Sequence, residues 1–377
     1  MSFRYAAGIN KPGFNPLGTQ TTTYLYNLFS WGNNASGQLG LNNNTYYSSP
    51  KQVGSLTTWS AISGGNQYVV AIQTNGTLWS WGENGNGQLG FGNTTAYSSP
   101  KQVGSLTTWS KASANFRSSL AIKTDGTLWS WGWNNLGQLG LGDRTDRSSP
   151  IQIGALTTWA TVSNSPYSKL NFAITTSGAL WGWGQNANGQ LGLGNTTSYS
   201  SPKQVGALTN WLKVAGGAYF TLAVKTDGTL WSWGNSAYGQ LGLGNTTEYN
   251  SPKQVGALTS WLNISANYGS SFAVKTDGTI WAWGRNTSGQ LGLGNTTDRN
   301  SPVQIGALAN WLTVSTSGTT QGAMAIKTDG TLWGWGANGD GQLGNGNITT
   351  TSSPIQVGAS TTWSKVTSLN GATVAIG

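Results

Sequence analysis

Ten carboxylates are the only acidic side chains in this chain of 377 residues, and it has no histidine and no cysteine. General acid–base chemistry needs a titratable pair, usually a histidine or two carboxylates. Asp125, Asp227, Asp277 and Asp329 all sit in the string Lys-Thr-Asp-Gly-Thr, where a turn explains them. Glu83, Asp143, Asp146, Glu248, Asp298 and Asp340 are scattered over different units. A serine or threonine nucleophile needs an activating base, and lysine is the only base left. No acidic loop has calcium-binding spacing, and thiolate and imidazole metal ligands do not exist here. The expectation is a protein with no catalytic residues, no metal and no cofactor.

The elements that carry these residues are repeats. Trp31, Trp81, Trp131, Trp183, Trp233, Trp283 and Trp335 each precede a glycine, and Gly-Gln-Leu-Gly follows a few residues later. Their spacings are 50, 50, 52, 50, 50 and 52 residues, the signature of a repeat architecture. Seven further tryptophans (Trp59, Trp109, Trp159, Trp211, Trp261, Trp311, Trp363) start an alternating apolar–polar run. Six more (Trp79, Trp129, Trp181, Trp231, Trp281, Trp333) lie two residues before a Trp-Gly tryptophan, with Phe29 in the seventh place. Twenty of the 21 tryptophans are therefore repeat fixtures, read as packing between units.

One unit reads as four short strands. Trp211-Leu-Lys-Val-Ala alternates as a half-buried strand does. Thr221 to Thr226 is a second strand and Thr229 to Gly234 a third, with Asp227-Gly228 between them predicting a type I′ hairpin. Lys253-Gln-Val-Gly is a short fourth strand. Such a sheet cannot bury two faces alone, but repeated radially it packs on its neighbours. The sequence predicts an all-β, seven-bladed β-propeller of four-stranded antiparallel blades. The chain ends on a second-strand segment, Ala372 to Gly377, and its repeats begin on a third-strand segment, Leu25 to Trp31. One blade is thus expected to take strands from both termini and close the ring. The division is an N-terminal extension over 1–23 and a propeller over 24–377.

Charged residues make up 8% of the chain, against roughly 25% in ordinary globular proteins, so Gly, Ser, Thr and Asn must carry the surface. The net charge of +9 would fit an acidic partner, but eight of the 19 basic residues are fixtures spread around the repeats. That spread argues against nucleic acid. No run is long and apolar enough to span a membrane. Met1 to Thr23 contains Arg4 and Lys11 but no apolar core, so no secretory signal is expected there. Asn-x-Ser/Thr sites such as Asn93 and Asn195 read as polar turn residues.

The run Ala-Val-Lys-Thr-Asp-Gly-Thr-Leu-Trp-Ser-Trp-Gly (223–234), then Gly-Gln-Leu-Gly, resembles the repeat of the regulator of chromosome condensation family. The resemblance covers Leu25 to Gly377 and implies the same seven-bladed fold. Members of that family include a guanine nucleotide exchange factor, modules of ubiquitin ligases, an ultraviolet receptor, a β-lactamase inhibitor, and bacterial and phage surface proteins. The exchange factor's histidine-bearing loops and inserted wedge have no counterpart here, and neither do the receptor's Gly-Trp-Arg-His-Thr motifs. Near-identical blades rich in Asn and Thr are closest in character to the bacterial and phage members.

Comparing the units with one another separates scaffold from variation. Directly after Trp-Gly come Asn33, Glu83, Trp133, Gln185, Asn235, Arg285 and Ala337, and three residues later Ser36, Asn86, Leu136, Asn188, Tyr238, Ser288 and Asp340. Between the first and second strands lie Tyr68, Phe116, Arg117, Tyr167, Lys169, Tyr219 and Tyr268. Strand parity puts both sets on one face and the Asp-Gly turns on the other. A third ring, Tyr47, Tyr97, Arg147, Tyr199, Tyr249, Arg299 and Thr351, joins the variable face. Aromatics and arginine are typical of recognition surfaces. The candidate binding residues are Trp133, Tyr238, Arg285, Tyr68, Phe116, Arg117, Tyr167, Tyr219 and Tyr268, with Trp133 the leading anchor because it is the tryptophan outside the repeat positions.

The function expected is a non-enzymatic binding or structural protein. It would be a phage virion or bacterial surface component, at the virion or cell surface, tethered to a larger assembly of protein partners by its N-terminal segment with Pro12 and Pro16. A surface glycan is a further candidate ligand. The alternatives are a soluble, cytoplasmic interaction module, such as an enzyme inhibitor or regulatory scaffold, and an exchange-factor-like protein.

Overall fold

The computed structural model describes residues 27–163, 167, 169–316 and 321–377. The N-terminal extension over 1–23 and parts of two longer loops lie outside the described residues. The described residues form seven four-stranded antiparallel sheets and no helix. Blade one is typical: Trp59–Gly64, Tyr68–Gln73, Leu78–Gly82 and Tyr97–Gln102, in that order from the axis outward. Blades two to six repeat this over 109–152, 159–204, 211–254, 261–304 and 311–356. Blade seven joins Lys365–Ser368 and Ala372–Ile376 to Leu28–Gly32 and Tyr47–Gln52, with Leu28 opposite Ile376 and Gly32 opposite Ala372. The ring is closed by strands from both ends of the chain, so Ala372–Ile376 is paired on both sides, by Lys365–Ser368 and by Leu28–Gly32.

The prolines explain which strand is outermost. Pro100 and its equivalents lie in the fourth strand, whose outer edge has no partner that needs a backbone N–H. The inner strands of neighbouring blades contact one another around the axis. Seven apolar clusters fill the gaps between blades. One of them packs Leu28, Val374 and Ile376 of blade seven on Trp59, Val69 and Trp81 of blade one.

Gly-Gln-Leu-Gly latches one blade to the next. The Trp81 indole donates to the Gln38 carbonyl at 3.0 Å and Trp131 to that of Gln88 at 2.9 Å, and the pattern runs on to Trp31 and Gln342, 2.9 Å, across the closure. Gly90 has φ +82°, and a Cβ on it would stand 2.9 Å from the Trp131 Nε1. Both properties the motif needs, positive φ and close approach, are therefore present.

The hairpin between the second and third strands is not type I′. That turn needs positive φ at both central residues, and here Gly126 has φ +78° while Asp125 does not share it. Gly126 N–H donates to Lys123 O and Lys123 N–H to Thr127 O, both at 3.0 Å, a tight turn followed by a left-handed glycine. The Asp125 carboxylate accepts from the Thr127 N–H at 2.9 Å and its hydroxyl at 2.7 Å. These two bonds hold the Asp125 pKa below its usual value, and the same cause acts on Asp227, Asp277 and Asp329.

The tryptophans divide by burial. Those of Trp-Gly are fully buried and those opening the inner strands nearly so, while Trp129 and its third-strand equivalents are half-exposed in grooves between blades. There the Lys123 ammonium lies 3.7 Å from the Trp129 ring centroid and Lys225 lies 3.6 Å from that of Trp231. These repeated lysines cap scaffold rings.

Candidate functional recognition face

A backbone hydrogen bond recurs wherever the two variable segments meet. Trp133 N–H donates to Arg117 O, Asn235 to Tyr219 O and Arg285 to Gly269 O, each at 2.9 Å. This bond joins the loop after the third strand to the loop before the second, so both variable sets share one face. Tyr97 and its equivalents begin the outer strand opposite the Trp-Gly glycine, at the outer rim of the same face. Lys101 lies 4.0 Å from the Tyr97 ring centroid.

The candidates gather into two groups. In the first, Trp133 and Phe116 have ring centroids 5.9 Å apart, and Phe116 and Tyr167 6.3 Å. The Lys169 ammonium stands 5.3 Å from the Trp133 centroid and 5.7 Å from that of Phe116. Arg117 lies 5.5 Å from the Phe116 ring and forms an ion pair with Glu83 at 3.2 Å. This group draws on blades one, two and three. In the second, Tyr219 and Tyr268 are 5.9 Å apart, and the Arg285 guanidinium lies 5.1 Å from Tyr238 and 5.9 Å from Tyr268. Blades four and five supply it. Aromatic pairs contribute about 0.5–1.5 kcal/mol beyond area burial, and cation–π contacts at exposed sites about 0.5–1 kcal/mol. These contacts hold the rings in place, and the side chains remain partly exposed.

Tyr68 does not belong to this face. It is wholly buried, and its hydroxyl donates to Ser118 O of blade two at 2.6 Å and accepts from the Ser119 hydroxyl at 3.1 Å. Burial pushes its pKa far up. Tyr68 opens the second strand opposite Gly82, as Phe220 does opposite Gly234, so the counterpart of Tyr219 is Gln67. A shift of one residue moves a strand side chain to the other side.

Sequence reasoning missed the buried amides beneath the loops. Asn84 donates to the carbonyls of Asn93 at 3.0 Å and Thr95 at 2.9 Å, and its own oxygen accepts from the Leu89 N–H. The signal was available, since an asparagine recurs there in every unit but the one carrying Ser236. The carboxylates are likewise engaged locally. Asp146 accepts from the Asn134 N–H at 2.7 Å, Asp298 from the Asn286 N–H at 2.6 Å, and Asp143 pairs with Arg147 at 2.6 Å. Among the described residues no group of three or more acidic side chains could hold a metal ion, and no helix is long and apolar enough to cross a membrane.

Seven segments, 27–72, 75–122, 125–164, 177–224, 227–274, 277–321 and 329–376, match the profile of the regulator of chromosome condensation (RCC1) repeat. A second profile of that description matches 59–88, 109–138, 211–240 and 261–290. No curated protein sequence matches the chain significantly. Among solved structures, Prp20p from Saccharomyces cerevisiae, studied for its binding to Gsp1p and histones, is similar at 18% identity and TM-score 0.82, over 94% of this chain and 92% of that one. Human WBSCR16 is similar at 21% identity and TM-score 0.83, over 93% and 98% of the two chains. Yeast RCC1 (Prp20), solved bound to Kap60, gives 17%, 0.81, and 100% and 96%. At these identities the likeness is one of fold.

Proposed function

The chain belongs to the regulator of chromosome condensation repeat family, and from that premise we propose that it is a non-catalytic binding protein whose recognition face is the variable one. The observation that carries this reading is the pair of aromatic and cationic groups around Trp133 and Arg285, built from residues the repeat does not dictate. Trp133 is the central anchor, and its ring offers a face to a protein side chain or a sugar.

The finer reading is a phage virion or bacterial surface component, tethered by its N-terminal segment. The junction supports it. Asn27 pairs with Gly377 through two backbone bonds of 3.1 Å, at the end of blade seven where the Asp-Gly turns of the other blades lie. The extension joins the propeller on the turn face, so an anchor there leaves the variable face pointing away. Deleting residues 1–23 should leave a folded propeller that no longer enters its assembly. Unchanged incorporation contradicts the tether. A glycan array read with wild type and Trp133→Ala tests the sugar variant.

The second reading is a soluble interaction module such as an inhibitor or scaffold. The described partners of Prp20p, Gsp1p and histones, favour protein as the ligand class for such a propeller. Stoichiometry separates the two readings, because a particle component is multicopy and co-purifies with structural proteins. Exchange-factor activity lacks support from any residue here, and nucleotide-release assays on a panel of small GTPases are expected to be negative.

A further inference from the structure

Each inner-strand tryptophan pairs in register with one residue of the second strand. In blades two, four, five and six that residue is a lysine: Lys123, Lys225, Lys275 and Lys327. Their ammonium groups lie between 3.6 and 3.9 Å from the ring centroids of Trp129, Trp231, Trp281 and Trp333. They also lie between 4.7 and 5.1 Å from the centroids of Trp109, Trp211, Trp261 and Trp311. Each cation is thus within reach of both rings of an indole pair.

Blade three keeps the rings and lacks the cation. Trp159 and Trp181 have centroids 6.1 Å apart at 75°, against 6.1 Å and 78° for Trp211 and Trp231. Trp159 pairs with Thr175, whose hydroxyl is hydrogen-bonded to that of Ser177 at 2.8 Å. Blade one fills the same place with Gln73, whose amide oxygen accepts from the Thr77 hydroxyl at 3.4 Å. Blade seven has Phe29 instead of the third-strand tryptophan. Blade three therefore holds an indole pair with no long side chain of its own laid over it.

A cavity of about 350 Å³ opens beside these rings, between blades two and three. Leu141, Ile153, Leu156 and Pro202 line it with Trp159 and Trp181, and none of its described lining residues is charged. Its attraction for a cation comes from the ring faces, and its apolar walls suit an aliphatic stem. A lysine side chain has both parts, and the four capped blades show that it fits this indole pair.

We propose that the groove between blades two and three binds a lysine side chain of a partner polypeptide, its ammonium seated over Trp181 where the other blades seat their own. The site lies between blades and does not rest on the recognition face.

Titration of the full chain with the peptide acetyl-Gly-Lys-Gly-amide, followed through the indole N–H resonances by NMR, tests it. The same peptide with norleucine in place of lysine is the uncharged control. A saturable shift at Trp159 and Trp181 is expected, at least fivefold tighter than with the control. Thr175→Lys gives the groove its own ammonium and is expected to abolish that shift. Lys225→Thr uncovers the equivalent pair and is expected to add a shift at Trp211 and Trp231. Thermal melts confirm that each variant is folded. Absence of a saturable shift in the wild type, equal affinity for the norleucine peptide, persistence of the shift in Thr175→Lys, or no new shift in Lys225→Thr overturns the site.

Discussion

The two faces of the ring are made by the same strands and differ in how much the repeat dictates. On the turn face each hairpin glycine is fixed by the neighbouring blade: a Cβ on Gly76 would meet Thr107 O at 2.2 Å and one on Gly126 would meet Thr157 O at 2.1 Å. A half-exposed leucine, such as Leu106 or Leu308, recurs at the edge of the grooves. On the opposite face the backbone bond between the two loops is as regular as any turn, yet the side chains at its ends run from Ala337 to Trp133. A constant main chain beneath changing side chains means the ring holds its shape whatever these positions present. Residues free of that constraint are the ones that can be set by a ligand.

Several substitutions break or sharpen this contrast. The largest effect belongs to the latch. Trp131→Ala empties a wholly buried site and removes the bond to Gln88 O, and is expected to destabilise the protein by about 3–5 kcal/mol in denaturant melts. Trp133→Ala, two residues away, loses only its contacts with Phe116 and Lys169, so it is expected to cost about 1–2 kcal/mol in the melt, less than Trp131→Ala, and to weaken ligand binding at least tenfold, about 1.4 kcal/mol. A variant that reversed these outcomes would make Trp133 a scaffold residue. Tyr68→Phe should cost about 1 kcal/mol of stability through its lost hydrogen bonds and leave binding intact.

The smallest effect is the pH dependence of the turn face. Hydrogen bonds from threonine hold Asp125, Asp227, Asp277 and Asp329 below their usual pKa in the folded state. Their contribution is therefore complete above the unfolded value of about 3.9 and is lost as pH falls through the lower folded values. Asn75 makes the same contact to the Thr77 N–H at 3.1 Å without titrating. Replacing all four aspartates by asparagine should thus preserve the fold and flatten the acid limb of the stability curve. An unchanged acid limb would mean that these turns do not contribute to it.

The fold was legible because one period recurs seven times and every hairpin within it has its punctuation. Its finer geometry was not. Asp-Gly alone does not distinguish a two-residue turn from a longer one, and the bonds that decide, Gly126 to Lys123 and Lys123 to Thr127, involve only the main chain. The shared face follows from strand parity, but proximity in sequence does not locate Tyr68, because a single residue of register separates the loop from the core. The grouping of Phe116 with Tyr167, or of Tyr219 with Tyr268, joins residues about fifty positions apart on neighbouring blades, and no local pattern encodes it.

The central claim is that recognition resides on the variable face. Its most direct test is quantitative mass spectrometry of what the native full-length protein co-purifies with, run beside Trp133→Ala, Arg285→Ala and a turn-face control, Leu308→Ser. The account predicts that the face variants shed a partner that wild type and the control both retain. Retention of every partner by Trp133→Ala and Arg285→Ala, with loss in Leu308→Ser, would place recognition on the uniform face and contradict it.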